Sequence, residues 1–304
     1  MKKPYYSVKE FFIDNFNEPL YKLPIDGGFT CPNRDGLKGY GGCAFCNEKG
    51  AGEHAFNGDI LTQVKSGIEF AKNNKKANKF AVYFQNFSST YKSANELEKL
   101  YETAFFADEN IKALAVATRP DCIDEEKVKI LKKFKTKGYV WCELGLQTSN
   151  DDIAKRYNRC YETAEFTKTV KLLNDNGIDV VAHIIVGLNG EDMSEVINTA
   201  SFLANHNIKG VKIHSLFVLK GTKLEKEYLS GNYKPISREF YIKAVAEILS
   251  RLPEKIVVHR ITGDGEKENL LAPIWTTEKK KNLNAIHNYM INNGITAGCK
   301  FKVE

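Results

Sequence analysis

The sequence predicts an α/β fold, an open and partial (βα)6 TIM-like barrel with a C-terminal α/β extension. Short β-branched runs alternate with helix-length amphipathic stretches, the mark of parallel strands with helices outside. Start and stop signals separate the stretches. After Lys220 the alternation breaks, so residues 1–222 read as the barrel with its lead-in and 223–304 as an extension packed on it. A doubly wound sheet is the alternative arrangement.

The elements follow in order. Strands are expected at 21–25, 80–85, 113–118, 140–147, 179–186 and 210–218. Helices are expected between them at 60–73, 94–106, 125–135, 163–176 and 191–205. Asp124 precedes two glutamates, an N-terminal signal, and Asn176-Gly177 closes another helix. The extension reads as a helix at 238–252, a strand at 255–260, a turn at 262–265 and a helix at 277–293. Functional groups in such folds sit at the C-terminal strand ends and the loops after them.

Composition narrows the classes. The chain has 304 residues, 42% hydrophobic and 27% charged, as ordinary globular proteins do. No apolar run approaches the roughly 20 residues of a membrane span. The start, Met-Lys-Lys-Pro-Tyr-Tyr, carries no signal-peptide pattern, so a cytoplasmic protein with no membrane partner is expected. Lys and Arg number 44 against 38 Asp and Glu, a net charge of +6 that permits a polyanionic partner. Seven cysteines, an odd number, do not read as a disulfide framework.

Cys31, Cys43 and Cys46 form a C-x11-C-x2-C pattern in the loop after the first strand. Three thiolates hold three irons of a [4Fe–4S] cluster and leave the fourth open to a ligand. Phe29 and Phe45 are candidates to shield it. The other reading is a zinc site with His54 as fourth ligand. The place of the loop, capping the first strand of a βα array, favours the cluster. Cys122, Cys142, Cys160 and Cys299 show no cluster spacing; a role for Cys160, beside Arg159, stays open.

With this loop the chain resembles a radical S-adenosylmethionine (SAM) enzyme of the YhcC/YtqA type. It is similar to the radical SAM domain of the Elongator catalytic subunit and to oxygen-independent coproporphyrinogen oxidase. The superfamily's commonest pattern is C-x3-C-x2-C, and the first gap here is much longer. The resemblance implies a radical SAM barrel, a [4Fe–4S] cluster, SAM and an electron donor of the flavodoxin or ferredoxin type. It implies one-electron cleavage of SAM to methionine and a 5′-deoxyadenosyl radical that abstracts hydrogen.

The remaining assignments follow from it. Segment 143–148 and Arg159 are similar to the Elongator and coproporphyrinogen oxidase segments, which implies Gln147 on a SAM ribose hydroxyl and Arg159 on the methionyl carboxylate. A guanidinium fork suits that carboxylate. Gln85 and Asn86 stand where the superfamily usually has Gly-Gly-Glu for the SAM amine. His183 and the loop 187–191 face SAM or substrate, and Leu216 brackets adenine. A structural ion pair is the other reading for Arg119 and Arg159, a core position for His183, and a buried pairing for Glu143.

The substrate reading uses Arg119, His259, Arg260 and Trp275: Arg260 and His259 as phosphate ligands, Trp275 as a base stack or a helix–barrel anchor. Three lysines, 279–281, fall in the first turn of the last helix if Thr276 or Thr277 caps it, where the helix dipole disfavours cations. Three functions stay open: a radical SAM enzyme on a tRNA wobble uridine, one on a small metabolite, and a zinc-stabilised RNA-binding protein without catalysis.

Overall fold

The computed structural model describes residues 3–47, 50, 55–263 and 268–302. His54 and the second half of the turn at 262–265 lie outside them. After α1 (Val8–Phe16), strands β1 (Leu20–Ile25), β2 (Lys79–Phe84), β3 (Ile111–Thr118), β4 (Tyr139–Gln147), β5 (Asp179–Val186) and β6 (Gly210–Ser215) alternate with helices. These are α2 (Ile60–Lys75), α3 (Ala94–Phe105), α4 (Glu125–Lys135), a short α5 (Asp151–Arg156), α6 (Thr163–Asp175) and α7 (Met193–Ala204). The remaining elements are β7 (Val218–Leu219), α8 (Lys223–Leu229), α9 (Arg238–Arg251), β8 (Val257–Arg260), β9 (Leu270–Ala272) and α10 (Lys279–Asn292).

The sheet has seven strands in the order β1-β2-β3-β4-β5-β6-β8, each pair parallel. This is the expected partial barrel with one strand more. The strand assigned to the extension joins it: Gly210 pairs with Val257. The stretch 210–218 divides, because the chain leaves the barrel after Ser215 and Val218–Leu219 pairs antiparallel with Leu270–Ala272.

Side-chain alternation sorts each strand. Leu23, Ile25, Val82, Phe84, Leu114, Val116, Leu144 and Val180 face the helices in one large core. Trp141, Tyr83, Leu20, Val181 and the alanines Ala81, Ala113, Ala115 and Ala117 face the interior. There α1 inserts Phe11 and Phe12 and closes the N-terminal end of the barrel. A capping box of Ser7 and Glu10 starts that helix. Ser7 also bridges Val258 in parallel, and Val258 N–H donates to Tyr6 O at 2.8 Å, so the lead-in covers β8. At the other edge, β1 carries Pro24 opposite Tyr83.

Asp192 caps α7, which therefore begins at Met193 rather than at Glu191. Glu278, and neither threonine, stands at the N-cap of α10. It pairs with Lys281 and Arg238 and so offsets part of the basic first turn. Among the described residues no helix is long and apolar enough to cross a membrane.

Candidate active site

The cysteine loop, the segment 85–91, Arg119, Gln147 and Leu216 all stand at or beyond the C-terminal ends of strands β1 to β6. The cysteine loop is held mainly by segment 157–160. Ala44 N–H donates to Tyr157 O at 3.0 Å, and Asn158 Nδ2 donates to Gly42 O at 2.8 Å and Tyr40 O at 3.3 Å. In return the buried Asn33 donates to Asn158 O and, at 3.6 Å, to Cys43 Sγ. Gly39 is required here, since a Cβ would lie 2.4 Å from Asn33 Oδ1.

The three thiols share one site. The Cys43 thiol is pushed up to about 12, by burial first and then by the nearby Cys46 and Cys31, against the pull of Arg119 and the Asn33 bond. Thiols this close resist ionising together unless a metal core takes their charge. Among the described residues no three Cys, His, Asp or Glu side chains converge as ligands of one ion. A cluster asks for a different spacing, with each thiolate on its own iron. The donor set fits a [4Fe–4S] cluster. Phe29 does not shield it: the ring is buried in the outer core, 6.1 Å from Phe84, and Phe45 packs 6.1 Å from Tyr157.

Segment 85–91 lies beside this loop. Ser88 N–H donates to Thr30 O at 3.2 Å, and Thr90 Oγ1 meets Thr118 Oγ1 at 2.7 Å. Asn86 is buried and its Oδ1 has no partner, an acceptor open to an amine. Gln147 ends β4 with φ 63°, the left-handed region that non-glycine residues rarely occupy outside constrained sites. Its Oε1 accepts from Tyr161, which also donates to Gly145 O at 2.7 Å. Leu216 is buried in a small apolar cluster with Ala44, Leu188 and Val218 beside the cysteine loop.

Both arginines are tied to the chain itself. Arg119 grips Asp121 through two bonds of 2.9 Å and donates to Arg159 O. Arg159 is buried and donates to Tyr161 O, Leu146 O, Thr148 O and Asp151, so four of its five N–H groups are used internally. Their guanidiniums lie 4.8 and 4.6 Å from the Tyr161 ring. Arg119 is therefore a structural pair rather than a substrate ligand. Cys160 Sγ donates to Asn158 Oδ1 at 3.3 Å.

The sequence signalled Glu143 only as one of two readings and missed what surrounds it. Its carboxylate sits in the barrel interior and accepts from Lys22 at 2.9 Å, Trp141 at 3.0 Å, Tyr83 at 2.7 Å, His183 at 2.8 Å and Lys212. Burial alone would raise its pKa, but Lys212, Lys22 and His183 outweigh that and hold it well below the carboxylate range. His183 is thus a partner of Glu143. His259 also belongs here, its Nδ1 3.2 Å from Lys22 Nζ, and so is not a surface phosphate ligand. Trp275 donates to Ile236 O at 3.2 Å and packs 5.3 Å from Tyr241, the anchoring contact of the extension. Arg260 is exposed at the end of β8.

These groups set a pH dependence. Burial first, then Lys212, lowers His183 to about 4, and burial also holds His214 and His259 well below their ordinary value. Unfolded, the three take up protons near pH 6.5; folded, they do not until far lower. The unfolded state binds more protons across that window, so stability falls as pH drops from about 6.5 toward 4. Each histidine contributes up to about 1.4 kcal/mol per pH unit. Denaturant titrations at pH 4.5, 5.5 and 6.5 check this, and a flat profile would contradict the buried, neutral state of these rings.

The comparisons decide the family. A model of the radical SAM superfamily matches residues 31–203, from the first cysteine to the end of α7. The chain belongs to the radical SAM superfamily. A radical SAM C-terminal domain matches residues 208–292 of this radical SAM enzyme. An uncharacterised Bacillus subtilis protein, YtqA, is 35% identical over 303 residues, covering 99% of this chain and 94% of that one. The tRNA uridine(34) acetyltransferase of Methanocaldococcus jannaschii is 29% identical over 215 residues, 68% of this chain and 37% of that protein. The structure of Methanocaldococcus infernus Elp3 with an N-terminal deletion superposes with a TM-score of 0.72 at 18% identity, covering 91% of this chain and 64% of that one. That likeness shows the shared barrel. The radical SAM family implies a [4Fe–4S] cluster and SAM, in keeping with the cysteine loop.

Proposed function

We propose that this radical SAM enzyme cleaves SAM reductively at a cluster held by Cys31, Cys43 and Cys46 and acts on the side chain of a tRNA wobble uridine. When bound, a reduced cluster would supply one electron to the sulfonium of SAM, giving methionine and a 5′-deoxyadenosyl radical that abstracts hydrogen. The chain's own residues supply the rest. Asn86 offers its unpartnered oxygen to the SAM amine, with Gln85 beside it. Gln147 is set for the ribose, and the strand exit at Leu216 for the adenine. Asn33, Asn158 and Arg159 position the loop and strand end that carry these groups. An electron donor of the flavodoxin or ferredoxin type completes the reading.

The observation carrying the tRNA assignment is the match of 68% of this chain to proteins named for uridine 34 of tRNA. Acetyl transfer does not come with it, since the match spans 37% of that protein. A base splayed from a single-stranded loop into the barrel mouth is the usual way RNA is read in unpaired regions.

Two measurements test the reading. With a strong reductant the anaerobic protein should convert SAM to 5′-deoxyadenosine and methionine. Nucleosides from bulk tRNA of cells with and without the gene should differ in one modified uridine. Identical uridines under several growth conditions would overturn the tRNA assignment and favour a small metabolite.

A further inference from the structure

The interior cluster carries more positive charge than its one carboxylate balances. Among the described residues Glu143 alone faces Lys22 and Lys212 as an acid, and both lysines pair with it. Arg260 follows on β8, and its charge acts on Lys22, Tyr83, Lys212 and His214. Burial, aided by Lys22 and Arg260, lowers the Lys212 amine to about 7 even against Glu143. Buried cations in excess of anions are costly, and the excess is relieved when a lysine gives up its proton or when a counter-charge enters.

A second observation points the same way. His214 lies one inward step beyond Lys212 on β6, toward the cysteine end, with its ring 5.7 Å from that of His183. Its Nε2 is buried and has no partner. A buried imidazole nitrogen is normally satisfied. The Glu143 carboxylate already accepts from five groups, so it does not supply what His214 lacks.

We propose that the barrel interior beneath the cysteine loop binds an oxyanion of the substrate, a carboxylate or a phosphate, through His214, Lys212 and Arg260. His214 donates its Nε2–H, Lys212 supplies charge from the barrel floor, and Arg260 closes over the anion from the rim. Glu143 takes no part in the contact; it keeps Lys22 and Lys212 in place. The inference rests on the function above only for calling the guest a substrate, since anion binding needs neither cluster chemistry nor tRNA.

The test is thermal denaturation of the anaerobically reconstituted protein with rising inorganic phosphate and, separately, acetate, with chloride holding the ionic strength constant. A ligand of the folded state raises Tm in a saturable way. A rise with phosphate alone assigns a phosphate, with acetate alone a carboxylate, and with both a shared oxyanion site. In Arg260→Gln and His214→Ala the half-saturating concentration should increase at least tenfold. Circular dichroism and iron content report whether the variants are folded, and Arg260→Gln, an exposed position, decides if His214→Ala is not. A Tm that neither anion raises, or that rises equally in wild type and Arg260→Gln, overturns the proposal. Failure of the wild type to make 5′-deoxyadenosine would instead overturn the radical function and leave the anion result standing.

Discussion

Replacing Cys31, Cys43 or Cys46 with Ala should leave the protein without iron. The wild type, reconstituted anaerobically, should hold about four irons and four sulfides per chain. Loss of one thiolate leaves two ligands in a loop with no substitute. Cys160 is turned to Asn158, Cys122 borders the site but is buried outside the loop with its thiol toward Asp121, and Cys142 is buried in β4. Cys299 is exposed in the C-terminal segment, so Cys299→Ala should keep the full complement. Iron and sulfide analysis reads the result. Stoichiometric zinc without iron in the wild type would contradict the cluster.

The second large effect belongs to Glu143. Its removal leaves Lys22 and Lys212 in the barrel without their counter-charge and frees the bonds of Tyr83, Trp141 and His183. Breaking a buried pair by deleting one partner costs about 3–5 kcal/mol. Glu143→Ala should lose that much in urea unfolding. Glu143→Gln, with the shape kept and the charge gone, should lose nearly as much. A change under about 1 kcal/mol in both would show that the network does not hold the barrel.

The sequence made the six βα units legible because strands buried on both faces and helices with one apolar face differ in period. It showed the strand at 255–260 but hid its place as the seventh strand of the barrel, since β8 has four residues and follows two helices, and nothing local ties it to β6. The capping box at Ser7 and Glu10 was readable and α1 still went unassigned. The cysteine loop was legible because its ligands lie within one loop. The Glu143 network was not, because Lys22, Tyr83, Glu143, His183, Lys212 and His259 come from six different strands. Their common feature, an ionisable residue at an inward position of an otherwise apolar strand, was the available signal. Arg119 and Arg159 show the converse: type and spacing suited a ligand role, and only the fold reveals Asp121 and Asp151 as their partners.

A half-closed barrel has ends to its sheet, and each free strand is a template for a strand from another molecule. The chain blunts both. At one side the lead-in lies along β8, with Ser7 on Val258. At the other, Pro24 puts a residue without an N–H into β1. The molecule can therefore keep its barrel open without inviting self-association along the sheet. Removing the first eight residues should uncover β8 and raise the tendency to aggregate, read by light scattering against the full chain.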